Sequence, residues 1–403
     1  MEIRKGYKRT KVGIIPEDWE TKPLGEEINV FRGGSPRPIQ AFITTDQNGV
    51  NWIKIGDVRV EAKYIDNTEE KIKLEGVSHS RTVKVGDLLL SNSMSFGRPY
   101  ILLINGCIHD GWLVLQDYQK SFIKDFLYYI LSSKLVINQY ISKAAGSSVL
   151  NLNREIVSSV VLPIPPLHEQ RAIATALSDI DDLISSLTKL IDKKKNIKQG
   201  AMQELLTGKK RLEGFSGEWK STRLGEHLRL QVGYPFKSIF FNQSRIGIRL
   251  IKNGDLKNDD QIYFFSGEYL DEYLVTNGDV LIGMDGEFVP CLWKKGVALL
   301  NQRVGRVLVD KHFDLLFIRY VLVSPLTEIQ RGTSATTVKH LSHKNIENLV
   351  LNIPQFKKEQ TAIANILSDM DAEIEALERK LNKYKSIKQG MMQELLTGRI
   401  RLV

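Results

Sequence analysis

The segment Glu169–Leu212 recurs 190 residues later as Glu359–Leu402, with about 26 of 44 positions identical. That is far beyond chance within one chain. In the first copy Ile173, Leu177, Ile180, Ile184, Leu187 and Ile191 step alternately four and three residues apart, and in the second Ile363, Leu367, Met370, Ile374, Leu377 and Leu381 do the same. Such spacing predicts two long helices, each with a heptad seam that a partner helix must cover. The nearest partner is the other copy. Pro165-Pro166 and Gly208 bracket the first helix, Pro354 and Gly398 the second. These are ordinary helix start and stop signals. The expected helices are about 40 residues and roughly 60 Å long.

The rest of the chain repeats around these helices. Trp19 matches Trp219, and Leu24-Gly25-Glu26 matches Leu224-Gly225-Glu226. Lys54-Ile55-Gly56-Asp57 matches Lys252-Asn253-Gly254-Asp255, and Val85-Gly86-Asp87-Leu88-Leu89 matches Asn277-Gly278-Asp279-Val280-Leu281. Between landmarks the halves differ freely. Strands are predicted at 52–58, 82–91 and 100–106, with a helix over 121–140 and a strand at 160–164 running into the proline stop. The predicted division is a first domain at 1–165, a helical spacer at 166–212, a second domain at 213–355 and a second helix at 356–403. A constant framework with different contents suits a binder of two specificities; drift after duplication is the bland alternative.

With 403 residues the chain has room for two or three domains. Its formal net charge is +9, which favours a polyanionic partner. Two separated cysteines, Cys107 and Cys291, argue against a disulfide framework or zinc site. The charged N-terminus and the lack of a long apolar run predict a soluble, cytoplasmic protein. A phosphate-cradling GxxxxGK[ST] motif is missing, and Asn352-Ile353-Pro354-Gln355-Phe356 reads as a linker rather than the amine-holding turn of an amino-methyltransferase. The histidines show no metal-ligand spacing. No catalytic or metal-binding residues are predicted.

Small polar loops beside strands are the candidate nucleic-acid contacts. In the first half they are Lys54, Asn92, Ser93, Ser95, Arg98, Ser147 and Ser148; in the second, Lys252, Asn301, Gln302, Arg303, Thr333, Ser334, Thr336 and Lys339. Arg, Asn, Gln and Ser read base edges, while Lys, Ser and Thr hold phosphates. Arg98 and Arg303 are the leading candidates.

Taken in order, these landmarks resemble the specificity subunit of Type I restriction-modification systems. The resemblance rests on Gly13-Ile14-Ile15-Pro16-Glu17-Asp18-Trp19, on Pro165-Pro166-Leu167 leading to Glu169-Gln170, on Gln203-Glu204-Leu205-Leu206-Thr207-Gly208, and on Arg211-Leu212 leading to Gly214–Trp219. The second copy departs at Pro354-Gln355-Phe356, where the double proline is lost. The resemblance implies an α/β (α+β) fold of two target-recognition domains held apart by an antiparallel coiled coil. It implies double-stranded DNA, two methyltransferase subunits and restriction subunits as partners. S-adenosylmethionine, ATP and Mg would belong to those partners, and no cofactor to this chain. It also implies a circular organisation, with residues 8–19 following the second helix as 213–219 follow the first. The competing reading is a protein-assembly scaffold, and a third is an enzyme with recognition and catalysis fused.

Overall fold

The computed structural model describes residues 3–402 apart from 60, 93–94, 146–150 and 333–339. It divides into two compact units. One comprises Met1–Thr188 with Arg379–Val403, the other Lys189–Glu378. The expected helices are continuous, Leu167–Leu205 and Lys357–Leu395, 39 residues each. Both end before the predicted limits, and Gly208 and Gly398 then adopt positive φ, a conformation that costs glycine little. Each unit therefore holds the start of one long helix and the end of the other.

Within each unit these two helical pieces run antiparallel. In the first unit Asp181 pairs with Lys388 at 2.5 Å. In the second, Lys194 pairs with Glu373, Lys195 with Glu378 and Lys198 with Asp371. Early positions of one helix thus face late positions of the other. Along the seams Ile173, Leu177, Ile180, Leu187, Ile191, Ile363, Leu367 and Ile374 are buried, and Ile184, Met370, Leu377 and Leu381 are half-buried.

The first unit carries two five-stranded sheets. One orders Asn29–Arg32, Trp112–Gln116, Leu88–Ser91, Pro99–Leu102 and Tyr64–Ile65. The other orders Ile43–Thr44, Glu70–Ile72, Val50–Ile53, Gly106–Ile108 and Arg81–Val83. Leu88 and Leu90 pack into the core shared with the helices, whereas Leu89 packs into a separate core with Trp112 and Val114. Alternate side chains leave opposite faces of a strand, so a strand buried on both faces reads as an unbroken apolar run. The second unit repeats the scheme with a four-stranded sheet, Leu228–Val232, Val304–Val309, Val280–Gly283 and Pro290–Leu292. Its five-stranded partner orders Phe241–Asn242, Tyr263–Phe265, Ile248–Ile251, Ala298–Leu300 and Leu274–Val275.

Four sequence expectations change in detail. The strand at 100–106 ends at Leu102, and Gly106 opens a separate strand in the other sheet. The strand at 52–58 stops at Ile53, because the Asp57 carboxylate accepts the Lys54 N–H at 3.0 Å and closes a 3₁₀ turn. Asp255 does the same for Lys252 at 2.7 Å. The segment 82–91 is two strands in different sheets, turned at Gly86 with φ 92°. The helix at 121–140 is two helices, Lys124–Leu131 and Lys134–Ala144, broken where Ser133 caps the second.

Part of the repetition in the long helices has a local cause. Glu169 is fully buried and accepts hydrogen bonds from Trp19 Nε1 at 2.9 Å and from Arg401 Nε and Nη2 at 2.7 Å each. In the second unit Glu359 accepts from Arg211 Nε at 2.7 Å and from Trp219 Nε1 at 3.3 Å. The neighbouring Gln170 accepts the Ile123 N–H at 2.9 Å and donates to the Ser121 and Pro165 carbonyls. Gln360 treats Asp314, His312 and Pro354 in the same way. A buried charge or amide without such partners is costly, so Glu-Gln, Trp and Arg persist together. In the first unit the residues before Trp19 and after Leu395 close one site, as a circular organisation requires.

Candidate nucleic-acid interface

The exposed edge of each unit is built on one repeated turn. In the first unit the strand Asn29–Arg32 ends at Gly33, whose N–H donates to the Trp112 carbonyl, and the Gly34 N–H donates to Ile108. In the second, Gly233 donates to Val304 and Tyr234 to Leu300. A Cβ on Gly33 would lie 2.1 Å from the His109 carbonyl oxygen, and one on Gly233 2.1 Å from that of Asn301. Only glycine fits at either place. The chain then turns outward as Ser35-Pro36-Arg37-Pro38-Ile39-Gln40 in one unit and Pro235-Phe236-Lys237-Ser238-Ile239-Phe240 in the other. Pro36 and Phe236 are buried, while Arg37, Gln40, Lys237 and Phe240 are exposed.

Side chains around the two turns differ. In the first unit a groove of 1120 Å³ is lined by Ser35–Gln40, Ile43, Trp52, Lys54, Glu70 and His109. Lys54 pairs with Glu70 at 3.1 Å, and Ser35 donates to Asp110 at 2.9 Å. Arg32 Nε donates to the Asp110 carbonyl and Arg81 Nε to that of Arg32. Burial pushes the His109 imidazole below its ordinary range. Burial also pushes the Asp110 carboxyl up, but Ser35 and His109 hold it below the usual carboxylate range. In the second unit the matching surface is aromatic. Tyr234 meets Phe236 at 5.1 Å and Tyr273 at 5.2 Å, with Tyr269 and Leu270 completing a shallow cleft. Lys252 lies 3.7 Å over the Tyr263 ring, a cation–π contact.

The structure separates the sequence candidates. Lys54 lines the groove. Asn92 is 3% exposed and donates its amide to the Asp110 carbonyl. Its main chain bonds Gly111 and Leu152, as Met284 bonds Arg303 and Leu341. Asn301 is likewise buried, so neither asparagine presents its amide to solvent. Ser95 and Arg98 line a different cleft, with Tyr128, Tyr129, Ser132, Lys388 and Met392. Gln302 and Arg303 are exposed; Arg303 has φ 74° and lies 3.2 Å from His340 and 3.5 Å from Asp285. Ser93, Ser147, Ser148, Thr333, Ser334, Thr336 and Lys339 lie outside the described residues.

Sequence reasoning passed over Arg37 and Lys237. Setting Gly33 against Gly233 would have aligned them. It also passed over the cluster beside each helix. Tyr129 donates to Asp181 at 2.8 Å next to Ser178 and Lys388, and Tyr320 donates to Asp371 at 2.7 Å next to Ser368 and Lys198. Burial pushes the Tyr320 hydroxyl up to about 12. Among the described residues no group of three or more His, Cys, Asp or Glu could hold a metal ion, and no helix is long and apolar enough to cross a membrane.

One framework repeated with unlike side chains at matching exposed turns defines a two-domain recognition protein. Residues 16–199 and 217–386 both match the Type I restriction modification DNA specificity domain, and the chain belongs to that family. It is 25% identical over 418 residues to the Type I restriction enzyme MjaVIII specificity subunit of Methanocaldococcus jannaschii, covering 96% of this chain and 94% of that one. It is 30% identical over 187 residues to the EcoBI specificity subunit of Escherichia coli, covering 45% and 39% respectively. Its fold is similar to the S subunit of a Type I restriction-modification system from M. genitalium, with TM-score 0.61, 14% identity and 98% of both chains covered. A chain from a structural study of type I R-M complex assembly gives TM-score 0.58 at 17% identity, over 96% of this chain and 99% of that one.

Proposed function

We propose that this chain is the DNA sequence-recognition subunit of a Type I restriction-modification complex and catalyses no reaction itself. The observation that carries the reading is the pair of family-matched segments, which share one framework and present different side chains at equivalent turns. Two unlike readers in one chain suit a bipartite site of two unlike half-sites around a non-specific gap. Methyltransferase and restriction subunits then supply methyl transfer, translocation and cleavage in the cytoplasm, and the long helices serve as spacer and docking surface.

The test is equilibrium binding of the complex, assembled with its methyltransferase subunits, to a panel of duplexes at rising salt. Preference for one bipartite sequence, with the logarithm of the affinity falling linearly in log salt as phosphate neutralisation releases counterions, supports the reading. Equal affinity for every duplex, or no DNA binding beside tight protein assembly, replaces it with the scaffold reading.

A further inference from the structure

We propose that the turns 35–40 and 235–240 are the base-reading elements of the two domains, with Arg37 and Lys237 as equivalent specificity-determining cations. This rests on the chain being a DNA-recognition subunit and names where each domain reads.

The two turns share one register. Gly33 and Gly233 make the same main-chain bonds and the same close approach to a neighbouring turn. Counting outward from them, Arg37 falls opposite Lys237, each four residues along and each exposed. Most flanking positions do not match: Ser35 stands against Pro235, Pro38 against Ser238 and Gln40 against Phe240, while Ile39 stands against Ile239. A cation is therefore kept, with the isoleucine two residues on, where most of the turn is not.

Both cations are also free to be redirected. The Arg37 side chain is 82% exposed, and its ion-pair contact is Asp110 at 3.6 Å. A loose, solvated pair of this kind is worth little. Lys237 is exposed, with no ion pair among the described residues. Arg98 contrasts with both, because it lines the cleft beside the helix end. Arg303 differs too, because it is engaged with His340 and Asp285.

The chemistry of each turn then differs in a readable way. An arginine fork matches the O6 and N7 acceptors of guanine in the major groove, and a glutamine matches adenine. Arg37 with Gln40 is a donor-rich reader, so the first domain's half-site should contain a guanine that depends on Arg37. Lys237 stands among Tyr234, Ile239 and Phe240, which are all exposed. Apolar side chains of this kind contact the thymine methyl, so the second half-site should pair a guanine contact with a thymine.

The experiment maps methylated sites made by the complete complex carrying Arg37→Ala, Arg37→Lys, Lys237→Ala or, as a control, Lys120→Ala; Lys120 is exposed beside Asn29, at the end of the strand Asn29–Arg32 opposite the Gly33 turn. The expected result is that Arg37→Ala relaxes one position of one half-site, its discrimination falling roughly five- to a hundred-fold. Arg37→Lys should relax the same position, since the charge stays and the fork is lost. Lys237→Ala should relax a position in the other half-site only, and Lys120→Ala should change neither consensus. An unchanged consensus with uniformly weaker methylation would make these cations phosphate contacts and overturn the proposal. So would unchanged activity, or relaxation of the same half-site by both variants. A wild-type complex that yields no bipartite consensus would instead remove the recognition reading itself.

Discussion

Glu169→Ala tests the clasp that joins the two ends of the first unit. The carboxylate is fully buried and accepts from Trp19 and from two nitrogens of Arg401, each bond between 2.7 and 2.9 Å. Removing one partner of a buried pair costs about 3–5 kcal/mol, because the other charge is left uncompensated. Arg401 keeps two bonds to Asp18, whose side chain is 53% exposed, at 2.8 and 2.9 Å. The cost should therefore fall near the lower limit, about 3 kcal/mol. Hydrogen exchange resolves the effect by segment. Amides that exchange through opening of the first unit, in Tyr7–Thr10, Gly13–Pro16 and Glu20–Pro23, should exchange about 150-fold faster. The strand Lys220–Arg223 of the second unit should be unaffected. Glu359→Ala should accelerate exchange in the second unit and leave the first unaffected. Unchanged exchange in the first unit, or equal acceleration in both, would refute the clasp as a device local to each unit.

Gly33→Ala and Gly233→Ala each drive a methyl into a carbonyl oxygen 2.1 Å away; each should lower stability by about 1–3 kcal/mol or more, measured as a lower urea midpoint, whereas Gly56→Ala, with open space around it, should not. Burial pushes the Asp371 carboxyl up, but Lys198, Tyr320 and Arg319 hold it below its usual range. A depressed folded value means stability that is present above the ordinary value of 3.8 and lost as pH falls through the folded one; Asp371→Asn should therefore flatten the acid limb of a stability–pH curve below about pH 4. One heptad inserted after Thr188 and another after Glu378, at the boundary between units, should lengthen each helix by about 10.5 Å with the seams in register. Site mapping should then show unchanged half-sites and a gap longer by roughly three base pairs, and an unchanged gap would show that the helices do not set it.

The long helices were legible because two independent signals coincide, near-verbatim repetition and a heptad of apolar residues. The reason for the repetition was not legible. Glu169 meets Trp19 from 150 residues away and Arg401 from 232, and no local pattern encodes those partners. Strand boundaries shifted where a side chain captured the main chain, as Asp57 does with Lys54 and Asp255 with Lys252. Polar loop residues were legible as loops, but exposure depends on what packs over them. Asn92 and Arg98 lie close in sequence, yet one braces the Asp110 turn and the other faces the helix end. Arg37 sits in a Gly-Gly-Ser-Pro-Arg-Pro run that reads as turn chemistry alone. Its match with Lys237 emerges when the main-chain bonds of Gly33 and Gly233 set the register.

The most direct test of the central claim is a genome-wide methylation map of cells carrying this chain with its methyltransferase partner, compared with cells lacking it. The expected result is methylated bases at one bipartite sequence, and replacing residues 24–162 with the matching domain of another family member should change one half-site and leave the other as it was. Methylation independent of sequence, or a domain exchange that alters both half-sites together, would contradict it.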